Sequence, residues 1–155
     1  MAKVLYTAEA TVTGGRIAGH GRTTDGTLDV QLRLPPELGG EGGGTNPEQL
    51  FAVGFGSCFE SAIQAVARRK KVEADDVSID SKVSLYPTEE RGFALGVELD
   101  ITLPQIDDAE LAAQIIEAAH KVCPYSNATR GNIEVKLSAN GRALDTSADA
   151  ATPAG

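Results

Sequence analysis

"NPEQLFAVGFGSCFESAIQAVARRKK", Asn46 to Lys71, decides how the rest of the chain is read. Asn46 can cap a helix, Pro47 suits the first helical position, and Gln49 completes an N-x-x-Q capping-box pattern. Phe51, Phe55, Phe59, Ala62, Ile63 and Val66 then recur at helical spacing as far as the cationic run Arg68 to Lys71. Gly54 and Gly56 each cost about 1 kcal/mol in a helix interior. Close packing against a neighbour is the preferred reading of both, ahead of a kink. Cys58 falls about 20° from the Phe51 direction and about 40° from Ala62, so it shares the apolar face.

Outward from this helix the pattern changes period. Tyr6, Ala8, Ala10 and Val12 alternate with Thr7, Glu9, Thr11 and Thr13, which predicts a strand ending at Gly14-Gly15. Leu28, Val30, Leu32 and Leu34 alternate with Asp29, Gln31 and Arg33 until Pro35-Pro36 stops them. The loop "GGEGGGTN" reads as a mobile flap or a linker; it lacks the Lys-Ser/Thr of a phosphate-binding loop. "VSIDSKVSLY" and "FALGVELDITLP" predict a hairpin joined by "PTEERG". "DDAELAAQIIEAAHKV" predicts a second helix with Asp107 and Glu110 as a capping box, and "NIEVKLSANG" a final strand. The expected class is α+β, with two main helices packed on antiparallel sheets.

The 155 residues suffice for one domain with a real core, expected over 1–144, with 145–155 as a disordered tail. A formal charge of −8 argues against nucleic acid and anionic membrane as partners. "MAKVLYTAEATV" does not read as a signal peptide, and no stretch is seen to approach the ~18 apolar residues of a membrane span. The expected location is the cytoplasm. In that reducing compartment a two-cysteine chain is more often catalytic or redox-active than stapled.

Those cysteines are Cys58 and Cys123. The plainer reading of Cys58 is an inert core thiol, since free cysteine is among the most buried residue types. Cys123 precedes Pro124 at the end of the second helix, a position set by backbone geometry. His20, Cys58, His120 and Cys123 lack the paired close spacing of a structural zinc site, so no metal is expected. His120 reads as a group favoured by the helix's negative end. A reactive thiol with a resolving partner stays open beside these readings.

"NPEQLFAVGFGSCFESA" together with "VCPYSNATRGN" closely resembles the organic hydroperoxide resistance proteins, thiol peroxidases in the superfamily that holds the osmotically inducible protein C group. The resemblance spans about Lys3 to Leu137. It implies the osmotically inducible protein C fold, an intertwined homodimer with active sites at the subunit interface, and no metal, haem or flavin. It assigns Cys58 as the peroxidatic thiol and Cys123 as the resolving thiol. Arg16 in "TVTGGRIAGHG" matches the family arginine, and Glu48 the acid of its N-P-E motif. It further implies organic hydroperoxides as substrates and a dithiol reductant, dihydrolipoamide on lipoylated proteins. Phe51, Phe55 and Phe59, on the helix that carries Cys58, are candidate substrate-binding residues for greasy hydroperoxides, with plain core packing as the alternative.

Two alternatives remain: a peroxidase of broader range from the osmotically inducible branch, and a redox sensor without turnover. The chemistry asks for an arginine because an unperturbed thiol of pKa ~8.5 is only about 3% thiolate at pH 7. Glu48 and Cys58 are ten residues apart, ~15 Å along a straight helix. Either the helix bends near Gly54 or Gly56, or Arg16 and Glu48 reach Cys58 from the other subunit. The second is expected.

Overall fold

Two sheets form, and the reason lies in where the alternating segments find partners. The computed structural model describes residues 2–146; most of the tail expected over 145–155 lies outside them. The chain divides between Leu50 and Phe51 into two compact units.

The first unit holds β1 (Ala10–Thr13), a single helical turn α1 (Gly15–Ala18), β2 (Gly19–Thr23) and β3 (Asp29–Arg33). They pair antiparallel in the order β1-β2-β3. The strand expected from Tyr6 starts only at Ala10. Its neighbour β2 ends at Thr23, where the Asp25 carboxylate accepts from Thr23 Oγ1 at 2.8 Å and Thr27 N at 2.9 Å to close a turn. The glycine loop links β3 to α2 and is hydrogen-bonded at several points. Gly40 N donates to Pro35 O, Gly42 N to Leu34 O and Thr45 N to Gln31 O, at 2.9–3.1 Å, which pins it along β3.

The long helix α2 (Pro47–Lys70) begins in the first unit and continues into the second. Its cap is as expected: Asn46 Oδ1 accepts from Gln49 N at 2.8 Å. The Gln49 side chain, however, accepts from Thr45 Oγ1 at 2.8 Å. The helix is uninterrupted across Gly54 and Gly56.

The second unit continues with β4 (Ser78–Pro87), β5 (Phe93–Thr102), α3 (Ala109–Val122), α4 (Pro124–Thr129), β6 (Glu134–Ala139) and a short β7 (Arg142–Ala143). Sheet order is β4-β5-β6-β7. The expected hairpin is present, with Val83 opposite Val97. One pairing departs from the antiparallel expectation: β5 and β6 run parallel. The helices α3 and α4 between them carry the chain back to the starting end of β5, as a parallel pair requires.

Phe55, Phe59 and Ile63 of α2 pack with Leu99 and Ile101 of β5, Ile115 and Ile116 of α3, and Leu137 of β6. Each of the three α2 side chains is 0% exposed, worth about 1.5–3 kcal/mol of burial. By length and hydropathy α2 is apolar enough to cross a membrane, contrary to the expectation that no stretch approaches a span. Its buried face is built into this core, as in the central helix of a globular unit. The α3 cap differs by one residue from expectation. Asp108, not Asp107, accepts from Glu110 N and Leu111 N at 2.9 and 3.2 Å.

Candidate active site

Cys123 owes its position to the proline after it. A residue before proline is disfavoured in the helical region, so α3 stops at Val122, while Pro124 suits the first position of α4. Cys123 therefore caps both helices, its N–H bonding Ala119 O and its C=O receiving Asn127 N. This junction turns the side chain toward α2. The Cys123 and Cys58 sulfurs lie 3.6 Å apart, and both are thiols. Closing a disulfide of ~2.05 Å would need the two to approach by about 1.5 Å.

The junction is braced from behind. His120 is buried and its Nδ1 lies 2.9 Å from Ser126 Oγ, tying α3 to α4. Arg130 Nη1 donates to Asn127 Oδ1 at 2.7 Å, and its Nη2 donates to His120 O. His120 does stand in the last turn of α3, where its position by the helix's negative end was expected, and it is also an interior strut. α4 and its bracing escape a periodicity reading because six residues hold too few apolar positions to show a period.

Tyr125 adds a second contact to Cys58. Its backbone N–H points at Cys58 sulfur and favours the thiolate, but burial outweighs it and Cys123 adds to burial. The net result holds the Cys58 thiol above its ordinary value. The Tyr125 ring packs against Phe51 and Phe55, with centroids 5.9 and 5.6 Å away. It lies directly over Gly54, where an added Cβ would sit 2.8 Å from the phenol oxygen. The close-packing reading of Gly54 is therefore correct, and the neighbour is Tyr125. At Gly56 the nearest atom to such a Cβ is Ser81 Cβ at 3.6 Å, an ordinary contact.

The other candidates take up distinct places. Phe55 and Phe59 have no exposed surface and sit in the core, while Phe51 is half-buried at its edge. Arg16 and Glu48 meet in the first unit as a two-pronged pair. Nη2 reaches Oε1 at 3.1 Å and Nη1 donates to Oε2 at 3.3 Å. Gly14 and Gly15 both have positive φ (72° and 62°), and the turn they make launches α1 and with it Arg16. Glu48 sits in the first turn of α2, so both partners are set by backbone features.

An α+β protein with two free thiols whose sulfurs lie 3.6 Å apart is the class that fold and site define. The OsmC-like protein family model matches residues 40–138. An organic hydroperoxide resistance protein of Xanthomonas axonopodis pv. citri is 54% identical over 137 residues, 87% of this chain and 94% of the relative. The organic hydroperoxide resistance protein OhrB of Bacillus subtilis is 45% identical over 134 residues, 86% of this chain and 96% of its own. The crystal structure of an organic hydroperoxide resistance protein from Legionella pneumophila matches with TM-score 0.84 at 55% identity, covering 88% of this chain and 98% of that one. The chain belongs to the OsmC-like family, among its organic hydroperoxide resistance proteins.

Proposed function

We propose that the protein is a thiol peroxidase that reduces alkyl, aryl and fatty-acid hydroperoxides to alcohols. The observation that carries this reading is the approach of Cys58 and Cys123, 65 residues apart in sequence, to 3.6 Å between sulfurs. In the first step the Cys58 thiolate attacks the terminal peroxide oxygen. The O–O bond breaks, the alkoxide takes a proton to leave as alcohol, and sulfur is oxidised to sulfenic acid. The Cys123 thiol then displaces water to form the disulfide. A dithiol reductant, dihydrolipoamide on lipoylated proteins in our reading, returns both thiols by exchange and is itself oxidised to a disulfide. The cycle uses the two thiols without metal, haem or flavin, and its location is the cytoplasm.

The first step demands a charge that the Cys58 surroundings oppose, since burial and Cys123 favour the neutral thiol. A cation beside the sulfur would reverse that balance, and a pKa near 6 would make it roughly 90% thiolate at pH 7. Arg16, held in aim by Glu48, suits the task, because a guanidinium is always charged and has donors to spare for the peroxide oxygens. Arg16 and Glu48 in this reading come from the partner subunit of an intertwined homodimer. A second copy is favoured by the run of exposed large apolar side chains near the N-terminus. Val4, Leu5 and Tyr6 are 72%, 95% and 81% exposed, and surface of that kind calls for a partner.

The test is consumption of cumene hydroperoxide and hydrogen peroxide driven by dihydrolipoamide, in wild type and Cys58→Ser. Many turnovers with the organic substrate, slower ones with hydrogen peroxide and none in the variant are expected. Equal rates on both peroxides would place the protein with broader peroxidases, and one oxidation without turnover would make it a sensor. Full activity in a monomer would remove the role given to the partner's Arg16.

A further inference from the structure

Pro124 stops α3 at the right place for Cys123, and in doing so it leaves a carbonyl without a donor. In a continuing helix the His120 C=O would accept the N–H of residue 124, and proline has none. His120 is buried, and a buried backbone acceptor left without a donor is costly. Arg130 supplies the donor. From the residue that ends α4 its side chain turns back, and its Nη2 donates to His120 O. Its Nη1 donates to Asn127 Oδ1 at 2.7 Å, which anchors the guanidinium to α4.

A cation near a helix C-terminus has an ordinary explanation in the orphan carbonyls and the dipole. That accounts for a positive group but not for where this one comes from. Arg130 follows Cys123 and His120 precedes it, so the contact bridges the cysteine. The second tie across the junction, His120 Nδ1 with Ser126 Oγ at 2.9 Å, ends on the same histidine. Two helices joined through one residue can pivot about it, and the direction of the Cys123 side chain follows that pivot. Both ties hold it still.

The tolerance is small. At 3.6 Å the two sulfurs stand at the outer edge of the ~3–3.5 Å from which atoms react. A pivot that withdraws Cys123 by about 1 Å can cost about a hundredfold in rate. The loss falls on one step, because Cys58 meets the hydroperoxide without help from Cys123. We propose that Arg130 is a positioning residue for the resolving step. By taking up the carbonyl that Pro124 orphans, it holds Cys123 where it captures the Cys58 sulfenic acid before a second hydroperoxide does. The inference rests on the peroxidase reading and adds to it a residue that decides between two fates of one intermediate. In the first, the Cys123 thiol attacks the Cys58 sulfur, the S–S bond forms, the S–O bond breaks, and hydroxide leaves with the thiol proton as water. In the second, the sulfenate attacks another hydroperoxide and takes its terminal oxygen to become sulfinic acid, and the O–O bond breaks to release alcohol.

The experiment mixes the reduced protein with a series of cumene hydroperoxide concentrations in the absence of reductant. It reads the rate of Cys58 thiol loss and, by intact mass, the ratio of sulfinic acid to disulfide. Arg130→Gln is expected to lose the Cys58 thiol at the wild-type rate. At a given peroxide concentration its sulfinic-to-disulfide ratio rises about ten- to a hundredfold. Arg130→Lys keeps a charged donor for His120 O and returns the ratio toward wild type. The ratio is set within folded molecules, so lower stability alone does not move it. Asp108→Ala, which loosens the other end of α3, therefore keeps the wild-type ratio. Should Arg130→Gln not fold, Asn127→Ala frees the same guanidinium from one anchor and should raise the ratio about threefold, as for one lost hydrogen bond. A wild-type ratio in the variant that folds, an equal rise in Asp108→Ala, or a lysine no better than glutamine overturns the proposal. Normal loss of the Cys58 thiol in those cases leaves the peroxidase reading standing. A wild-type Cys58 that the hydroperoxide does not oxidise would instead remove that reading, and this one with it.

Discussion

Gly54 and Gly56 are two residues apart in one helix, and the structure predicts opposite responses to the same substitution. Alanine at either position gains about 1 kcal/mol of helix propensity. At Gly56 nothing opposes the gain, because the new Cβ would meet Ser81 Cβ at 3.6 Å. At Gly54 it would stand 2.8 Å from the Tyr125 phenol oxygen and 3.2 Å from two ring carbons. Regaining an ordinary 3.4 Å contact requires the ring to retreat by roughly 0.6 Å. It packs against both Phe51 and Phe55, and aromatic pairs of this kind are worth about 0.5–1.5 kcal/mol each. Losing much of both costs about 1–2 kcal/mol. Gly56→Ala should thus stabilise by up to about 1 kcal/mol, while Gly54→Ala falls between neutral and about 1 kcal/mol destabilised. Their difference cancels the propensity term and isolates the ring. Urea unfolding of the reduced protein, with unchanged m-values, measures both. In a cycle with Tyr125→Ala the penalty at Gly54 should vanish. Equal stabilisation by both alanines would refute the reasoning.

Three further outcomes follow from the geometry. Asp108→Ala should cost about 1 kcal/mol as a lost cap, while Asp107→Ala should stay within about 0.5 kcal/mol; thermal unfolding separates them. Ser126→Ala removes the hydroxyl bonded to buried His120 and should cost about 1–3 kcal/mol, with a matching fall in unfolding midpoint. Arg16→Ala should move the midpoint of Cys58 alkylation to higher pH. A cation favours the thiolate, and its removal leaves burial and Cys123, which both favour the protonated form. An unmoved midpoint would mean that Arg16 does not act on this sulfur.

What the sequence disclosed depended on how many residues carried each signal. The α2 helix was legible because Asn46, Pro47 and six apolar positions agree, and the β4–β5 hairpin because two ten-residue strands alternate around a polar turn. β7 has two residues and α4 six, too few to show a period. The parallel pairing of β6 was hidden because strand direction is set by the connection and leaves no trace in alternation. Asp107 and Asp108 are adjacent acids with equal claim on the cap, and only the entry angle of the chain chooses between them.

In the proposed cycle each unit contributes separately to making a half-buried thiolate. The second unit places two sulfurs within reach of one another by using Pro124 to stop one helix and start the next. The burial that holds this geometry also disfavours the charge that the nucleophile needs. The first unit holds the piece the proposed cycle would bring to that sulfur from a partner subunit, a guanidinium clamped by a carboxylate through two contacts, 3.1 and 3.3 Å. Each piece is ordered by its own backbone: a double glycine before Arg16, the first turn of α2 for Glu48, and the α3–α4 junction for Cys123. Neither has to be organised at the moment of reaction, which is the condition under which fixed charges lower a barrier most. If the pieces meet only across two subunits, the thiol stays neutral in a lone protomer and gains its charge on assembly. Reactivity of Cys58 toward an alkylating agent should then rise with protein concentration through the dimerisation range, and a rate independent of concentration across that range would show that one protomer makes the site alone.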